Sequence, residues 1–249
     1  MQKRPAYLDL FRAQLGVVGR GGQKRLRNAQ VHVSGTGGLG SQILMNLAAV
    51  GIGHLTANDP QTLEADNFNR VATASASDIG KPKVKLLKGA LKERPYLTFL
   101  GVMAGNEDSA VSPFYQTADA IVCCSNTIKS RIAAAAAAIR HSKPIIDAGV
   151  ADGNHTLAGT VRIWAPGRGN DAACPACYLN PDATLPRREA LFFPVLAGTA
   201  AIASYSVVQL LLGSTALTSN LILIDFVEPR IEPLDVQRRR GCSVCAGRS

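Results

Sequence analysis

The stretch that most constrains this chain is Val31-His-Val-Ser-Gly35-Thr-Gly37-Gly38-Leu-Gly40. Val31 and Val33 alternate with polar residues as in a half-buried strand, and Leu39 to Val50 then reads as an apolar helix. A strand that enters a helix through G-x-G-G-x-G turns tightly, which glycine permits because no Cβ obstructs the backbone. Free N–H groups at the helix start, with the positive end of its dipole behind them, favour a phosphate. Gly35, Gly37, Gly38 and Gly40 are therefore candidate nucleotide-binding residues. The bland alternative is a turn that only packs strand on helix, and the loop alone does not choose among nucleotides.

Strand and helix patterns continue to alternate downstream. His54–Asn58 reads as a second strand ending at the turn Asp59-Pro60, Leu97–Val102 as a third, Ala120–Cys124 as a fourth and Pro144–Asp147 as a fifth. Lys81–Arg94 predicts a basic amphipathic helix with Val84, Leu87 and Leu91 on one face, and Ile128–His141 an alanine-rich one. This order predicts an α/β fold, a Rossmann-like, mostly parallel sheet with helices on both faces. Tyr7–Ala29 reads as two short helical pieces separated by Gly16–Gly22, and Glu64–Ser77 as a long polar loop. Beyond Val150 we expect an extended segment over His155–Trp164, a loop over Cys174–Arg188, an apolar helix over Val195–Leu212 and a strand over Leu221–Phe226. The expected organisation is one domain over 1–249. It comprises a helical arm (1–29), a nucleotide-binding half (30–150) and a second, cysteine-bearing half (151–249).

Composition narrows the function classes. With 249 residues and 47% apolar content the chain can bury a full core. Its net charge of +9 suits phosphorylated ligands or acidic partners. The basic residues are dispersed over Lys24–Arg27, Lys81–Lys92 and Arg238–Arg240 without interleaved aromatics, which disfavours nucleic acid. Met1–Asp9 lacks the apolar core of a signal peptide. Leu191–Gly213 carries no charge over 23 residues, long enough to span a bilayer. Its Pro194, Gly198, Ser204, Gln209 and many alanines point instead to a buried core or interface helix. We expect a cytoplasmic protein with no membrane partner.

Three groups of residues carry candidate chemistry. Asp59, 24 residues after Gly35, is placed to bond the ribose of a nucleotide held by the loop, in NAD or ATP alike; it equally suits the turn before Pro60. Asp66-Asn67-Phe68-Asn69-Arg70 and Gly80-Lys81-Pro82-Lys83 add two cations, Arg70 and Lys83, beyond what a dinucleotide needs. They suit a triphosphate under attack at its α-phosphorus, where charge builds on the equatorial oxygens and the leaving pyrophosphate. Lys85, Lys88 and Lys92 read as a solvated helix face. Cys174-Pro-Ala-Cys177 and Cys242-Ser-Val-Cys245 supply four thiolates at metal-knuckle spacing, which describes a closed, structural zinc site stapling the C-terminal segment back. Two redox-active pairs are the alternative. Cys123 and Cys124 fall in an apolar strand and read as inert core thiols.

Taken together, these motifs resemble the ThiF/MoeB/HesA family, bacterial relatives of the ubiquitin-activating enzymes. The resemblance rests on Gly22-Gln-Lys-Arg-Leu26, Gly35-Thr-Gly-Gly-Leu-Gly-Ser41, Asn46-Leu-Ala-Ala-Val-Gly-Ile-Gly53, Asp66–Arg70, Ile79-Gly-Lys-Pro-Lys83, Asp147-Ala-Gly-Val150 and both cysteine pairs, in that order. It implies an ATP-dependent adenylyltransferase that activates the C-terminal carboxylate of a small ubiquitin-like sulfur-carrier protein or a precursor peptide. By position it implies Gly38 against the phosphates, Asp59 on the ribose, Arg70 and Lys83 on the triphosphate, Asp66, Asn67 and Asn69 around it, and Cys174, Cys177, Cys242 and Cys245 on zinc. It also implies a homodimer, with Arg12 or Arg20 as candidates to reach a partner's site, and a Mg2+ ion.

Three departures stand out. Ser125-Asn126 occupies the place of the usual magnesium-binding Asp-Asn, and Asp66 that of a usual serine. Pro186-Arg187-Arg188-Glu189-Ala190 holds no cysteine where thioester-forming relatives have one, so chemistry that stops at the adenylate is expected. The Ser125 departure keeps a second reading open, a catalytically degenerate binding or half-site subunit of a biosynthetic complex. A nicotinamide oxidoreductase is a third.

Overall fold

A computed structural model describes residues 5–153, 156–167, 172–180, 191–215 and 217–246. The glycine loop joins β1 (Gln30–Ser34) to α3 (Gly38–Ala49), and the chain then alternates through β2 (His54–Asn58), α4 (Lys83–Leu91), β3 (Thr98–Val102), α5 (Ser112–Thr117), β4 (Ala120–Cys123), α6 (Ile128–Arg140) and β5 (Ile145–Gly153). β6 (Thr156–Trp164), α7 (Phe193–Leu212), β7 (Leu221–Asp225) and β8 (Arg230–Leu234) follow, and α1 (Tyr7–Leu10) and α2 (Leu15–Asn28) precede the sheet. All eight strands form one sheet in the order β3-β2-β1-β4-β5-β6-β7-β8. The pairings from β3 to β5 are parallel and those from β5 to β8 antiparallel.

Side-chain alternation explains how one sheet feeds two cores. In β4, Ala120 and Val122 join a cluster with Ile43, Leu47, Leu87 and Val207 from α3, α4 and α7. Ile121 and Cys123 enter the opposite cluster with Tyr115, Ala134 and Ala138 from α5 and α6. A strand covered on both faces is apolar throughout, which is why β4 shows no polar alternation. α7 is long and apolar enough by composition to cross a membrane. Here it lies on the sheet: a Cβ on Gly159 of β6 would stand 2.1 Å from Thr199 Oγ1, so the helix approaches the strand through that glycine. Asn46 of α3 donates to Ser204 of α7 at 3.3 Å. Phe192 and Tyr205 remain more than half exposed (60% and 58%) along its outer side.

The structure keeps the expected glycine break in the N-terminal helices and departs from the sequence expectations at α4, β5, α5 and β8. The break expected within Gly16–Gly22 falls at Gly19 (φ +70°), where α2 kinks between two helical pieces, because among these glycines only that one takes a positive φ. Gly22 stays helical where a side chain would press on Leu212 (3.2 Å). α4 begins at Lys83 because Pro82, which has no N–H, occupies its N-cap, while Lys81 turns away to Asp78 at 2.8 Å. β5 extends past Asp147 to Gly153 through its antiparallel pairing with β6. α5 and β8 were not expected from the pattern. α5 has only six residues with Pro113 in its first turn, and β8 is an exposed edge strand holding Pro233, so neither shows a periodic apolar face.

Candidate nucleotide cleft and cysteine cluster

Strand order reverses between β1 and β4, so the loops that follow these two strands leave the sheet side by side. Ligands of open α/β sheets bind in the crevice at this switch point. A cleft of ≈ 590 Å³ opens there. It brings together Gly35, Gly37, Gly38, Asp59, Asp66, Asn67, Arg70, Lys83, Ser125 and Asn126. Gly40 and Asn69 do not line it. A Cβ on Gly40 would lie 1.8 Å from the Gly35 carbonyl oxygen, so Gly40 closes the loop from behind. Asn69 donates to the Leu191 carbonyl at 3.1 Å and accepts from Arg70 at 3.0 Å.

The glycine loop is fixed at both ends. Gly35 takes φ +86° and donates to the Asn58 carbonyl at 2.8 Å. Asp59 Oδ2 accepts from the Thr36 N–H at 2.7 Å and the Thr36 hydroxyl at 3.2 Å, and Oδ1 accepts from the Gln61 N–H at 2.9 Å. This buried carboxylate therefore clamps the loop to the end of β2 and fills the turn role as well. A side chain on Gly38 would meet Arg70 Cβ at 3.1 Å, so the loop and the Arg70 segment are in direct contact.

Two cations face the loop. Arg70 donates to the Asp66 carbonyl and pairs with the Asp66 carboxylate at 3.5 Å. Lys83 is buried (7% exposed) at the first position of α4, with Nζ donating to Gln61 Oε1 at 2.9 Å. Burial pushes the Lys83 ammonium below its ordinary value, while Asp59, Glu64 and Asp66 pull it back up and Arg70 adds to the depression. A cation at the positive end of a helix opposes the helix dipole. This placement costs stability, and an anion in the cleft would relieve it. Lys85, Lys88 and Lys92 are exposed, in keeping with a solvated face.

The far wall is a hydroxyl–amide network not expected from the sequence. Ser34 Oγ donates to Asn106 Oδ1 at 2.6 Å and lies 3.1 Å from Ser125 Oγ. Asn106 Nδ2 donates to Ser125 Oγ at 3.2 Å and to Ser130 Oγ at 3.0 Å, and Asn58 Nδ2 donates to Asn106 Oδ1 at 2.9 Å. The signal available in the sequence was a polar residue at the carboxyl end of β1 and β2, namely Ser34 and Asn58. Arg131 also reaches the cleft, held by Asp147 at 2.5 Å; Asp147 in turn holds Arg162 at 2.7 Å. Cys123 is buried and its thiol pushed up to about 11, chiefly by desolvation. Cys124 touches the cleft, and burial likewise raises its thiol well above the ordinary value, so both are poor nucleophiles. Arg12 and Arg20 are exposed, and Pro186–Ala190 lies outside the described residues.

The four remaining cysteines converge although no disulfide joins them. Their Sγ atoms lie within 4.8 Å of one another, with 3.8 Å from Cys174 to Cys177, 3.9 Å from Cys174 to Cys242 and 3.5 Å from Cys177 to Cys245. A tetrahedron of sulfurs at zinc–thiolate bond length has edges of about 3.8 Å. The cluster therefore fits a four-thiolate metal site and is far from S–S bonding distance.

A family model for the ThiF family matches residues 11–244. The chain belongs to the ThiF family. Among its relatives, the heterocyst protein HesA of Trichormus variabilis is 28% identical over 246 residues, covering 97% of this chain and 90% of that protein. The sulfur carrier protein ThiS adenylyltransferase of Escherichia coli is 26% identical over 231 residues, covering 91% and 89%. Among solved structures, E. coli MccB with ATP superposes with a TM-score of 0.75 at 26% identity, covering 90% of this chain and 68% of that one. The ThiF-family relatives thus include adenylyltransferases, and the fold described above is theirs.

Proposed function

We propose that this ThiF-family chain is an adenylyltransferase that uses ATP to activate the C-terminal carboxylate of a small ubiquitin-like sulfur-carrier protein or a precursor peptide. The observation that carries this reading is the desolvated Lys83 ammonium facing a clamped glycine loop across the cleft, with Arg70 beside it. Gly35, Gly37 and Gly38 would cradle phosphate, Asp59 would hold the ribose while it holds the loop, and Asn67 and Asn126 would line the nucleotide. A carboxylate oxygen of the acyl substrate attacks the α-phosphorus, the bond to the bridging oxygen breaks, and pyrophosphate leaves as acyl-adenylate forms. Lys83 and Arg70 stabilise the charge that builds on the α-phosphoryl oxygens and the pyrophosphate. The chain supplies position and charge, with little proton transfer.

A divalent cation such as Mg2+, held in part by carboxylates of the cleft, would neutralise part of the triphosphate charge. The cleft suits one: Asp59, Glu64, Asp66 and Glu107 line it, and the buried Asn58 Oδ1 has no hydrogen-bond donor. We assign zinc to the four cysteines, on their spacing and all-sulfur donor set. We further assign a homodimer, supported by the apolar outer side of α7, and a cytoplasmic location, supported by the unpaired cysteines.

One observation favours the second reading. Ser125 is engaged with Ser34, Asn106 and Ser130 at 3.1–3.2 Å, so this position offers no carboxylate. A degenerate subunit would use the same cleft only to bind. Mass spectrometry separates the two readings: incubation with MgATP and C-terminal Gly-Gly carriers or precursor peptides should add AMP to the carboxylate. Arg70→Ala and Lys83→Ala should abolish that addition while the circular dichroism spectrum is retained. ATP binding without adenylate on any carrier would favour the degenerate subunit.

A further inference from the structure

Four carboxylates line the cleft, and two of them are held by other groups. Asp59 accepts three hydrogen bonds that close the glycine loop. Asp66 is paired with Arg70 at 3.5 Å. Glu64 acts on the Lys83 ammonium. Glu107, like Glu64, has no hydrogen-bond or ion-pair partner for its carboxylate among the described residues, but unlike Glu64 it does not act on Lys83, and it is exposed to the cleft it lines.

Its position in the fold is specific. Glu107 follows Asn106, whose amide binds Ser34, Asn58, Ser125 and Ser130, so the backbone at Glu107 is anchored to the loop after β4. Glu107 Oε2 lies 3.3 Å from where a Cβ on Gly105 would stand, which folds the carboxylate over another cleft-lining residue. On the same wall Asn58, 2% exposed, presents the undonated Oδ1. A buried acceptor left without a donor is costly, and a cation or its water shell satisfies it. Hard divalent cations bound with nucleotides take one or two carboxylates plus phosphate oxygens.

We propose that Glu107 supplies the protein carboxylate for the divalent cation that accompanies the nucleotide, from the loop after β3 rather than from position 125. This assignment rests on the ATP reading of the cleft. It makes the serine at 125 a hydrogen-bonding post within the wall, and relocates the metal charge to the loop after β3.

The test uses Mn2+ in place of Mg2+, with a non-hydrolysable ATP analogue carrying a methylene between the α- and β-phosphates. Electron paramagnetic resonance gives the Mn2+ affinity of the ternary complex, and calorimetry without metal gives the affinity for the analogue alone. Glu107→Gln should weaken Mn2+ binding about tenfold or more, with metal-free analogue binding unchanged within about twofold. Adding Ser125→Asp to Glu107→Gln should recover most of the loss. Mn2+ affinity unaffected by Glu107→Gln would overturn the assignment and leave the ATP reading standing. An analogue that fails to bind the unaltered chain with or without metal would overturn both.

Discussion

At the residue scale, buried polar groups decide what this cleft can do. Lys83 is buried at the wrong end of a helix dipole, an arrangement that disfavours its ammonium form and that an anionic ligand in the cleft would relieve. His32 shows the same physics without a ligand. It is fully buried in β1, its Nδ1 lies 3.0 Å from Thr56 Oγ1 and its Nε2 is unpartnered. Desolvation lowers its pKa from 6.5 to about 4, opposed more weakly by the neighbouring Asn58 and Thr56. Between those values the unfolded chain binds a proton that the folded chain refuses. The stability contributed by keeping His32 neutral is therefore intact above pH 6.5 and declines as pH falls toward 4. Up to about 3 kcal/mol is lost across that window. Urea unfolding at several pH values should show this decline, and His32→Gln should flatten it. A slope identical in both proteins would contradict the assignment.

At the scale of elements, the cysteine cluster ties the short helical turn Pro175–Tyr178 to the C-terminal segment, and the Ala172–Gln237 bridge reinforces the same junction. Purified protein should carry one zinc per chain, with these four thiols unreactive until a strong chelator removes the metal and lowers thermal stability. Metal-free protein with freely titrating thiols and unchanged stability would contradict a zinc site. Elements of this kind were legible in the sequence for a physical reason. Two C-x-x-C pairs name their own chemistry, and the parallel strands β1, β2 and β4 are bounded by glycine, proline and helical periods. The short α5 and the exposed β8 carry no periodic apolar face, so pattern could not reveal them. The far wall of the cleft was also hidden. Asn106 and Ser130 have no motif, and their convergence on Ser125 depends on which strands become neighbours. The backing role of Gly40 was hidden too, because a glycine that admits a phosphate and one that admits a carbonyl read alike in sequence.

At the scale of the molecule, strand order does the decisive work. Reversal between β1 and β4 opens the crevice, and the sheet that runs on antiparallel from β5 to β8 carries α7 in the core on one face and the cysteine cluster in the core on the other. The glycine loop comes from one side of that crevice, Ser125 and Asn126 from the other, and Arg70 and Lys83 from the segments after β2. On the proposed function this crevice is an ATP site whose charge is set by Lys83 and Arg70. Isothermal titration of the chain with ATP and Mg2+, repeated with Lys83→Ala and with NADH, tests it most directly. Saturable binding of one ATP per chain is expected, with a loss of about tenfold to a hundredfold in Lys83→Ala, the worth of one charge-assisted hydrogen bond. No comparable binding of NADH is expected. Equal ATP affinity in the unaltered chain and Lys83→Ala, or NADH binding as tightly as ATP, would contradict the ATP reading.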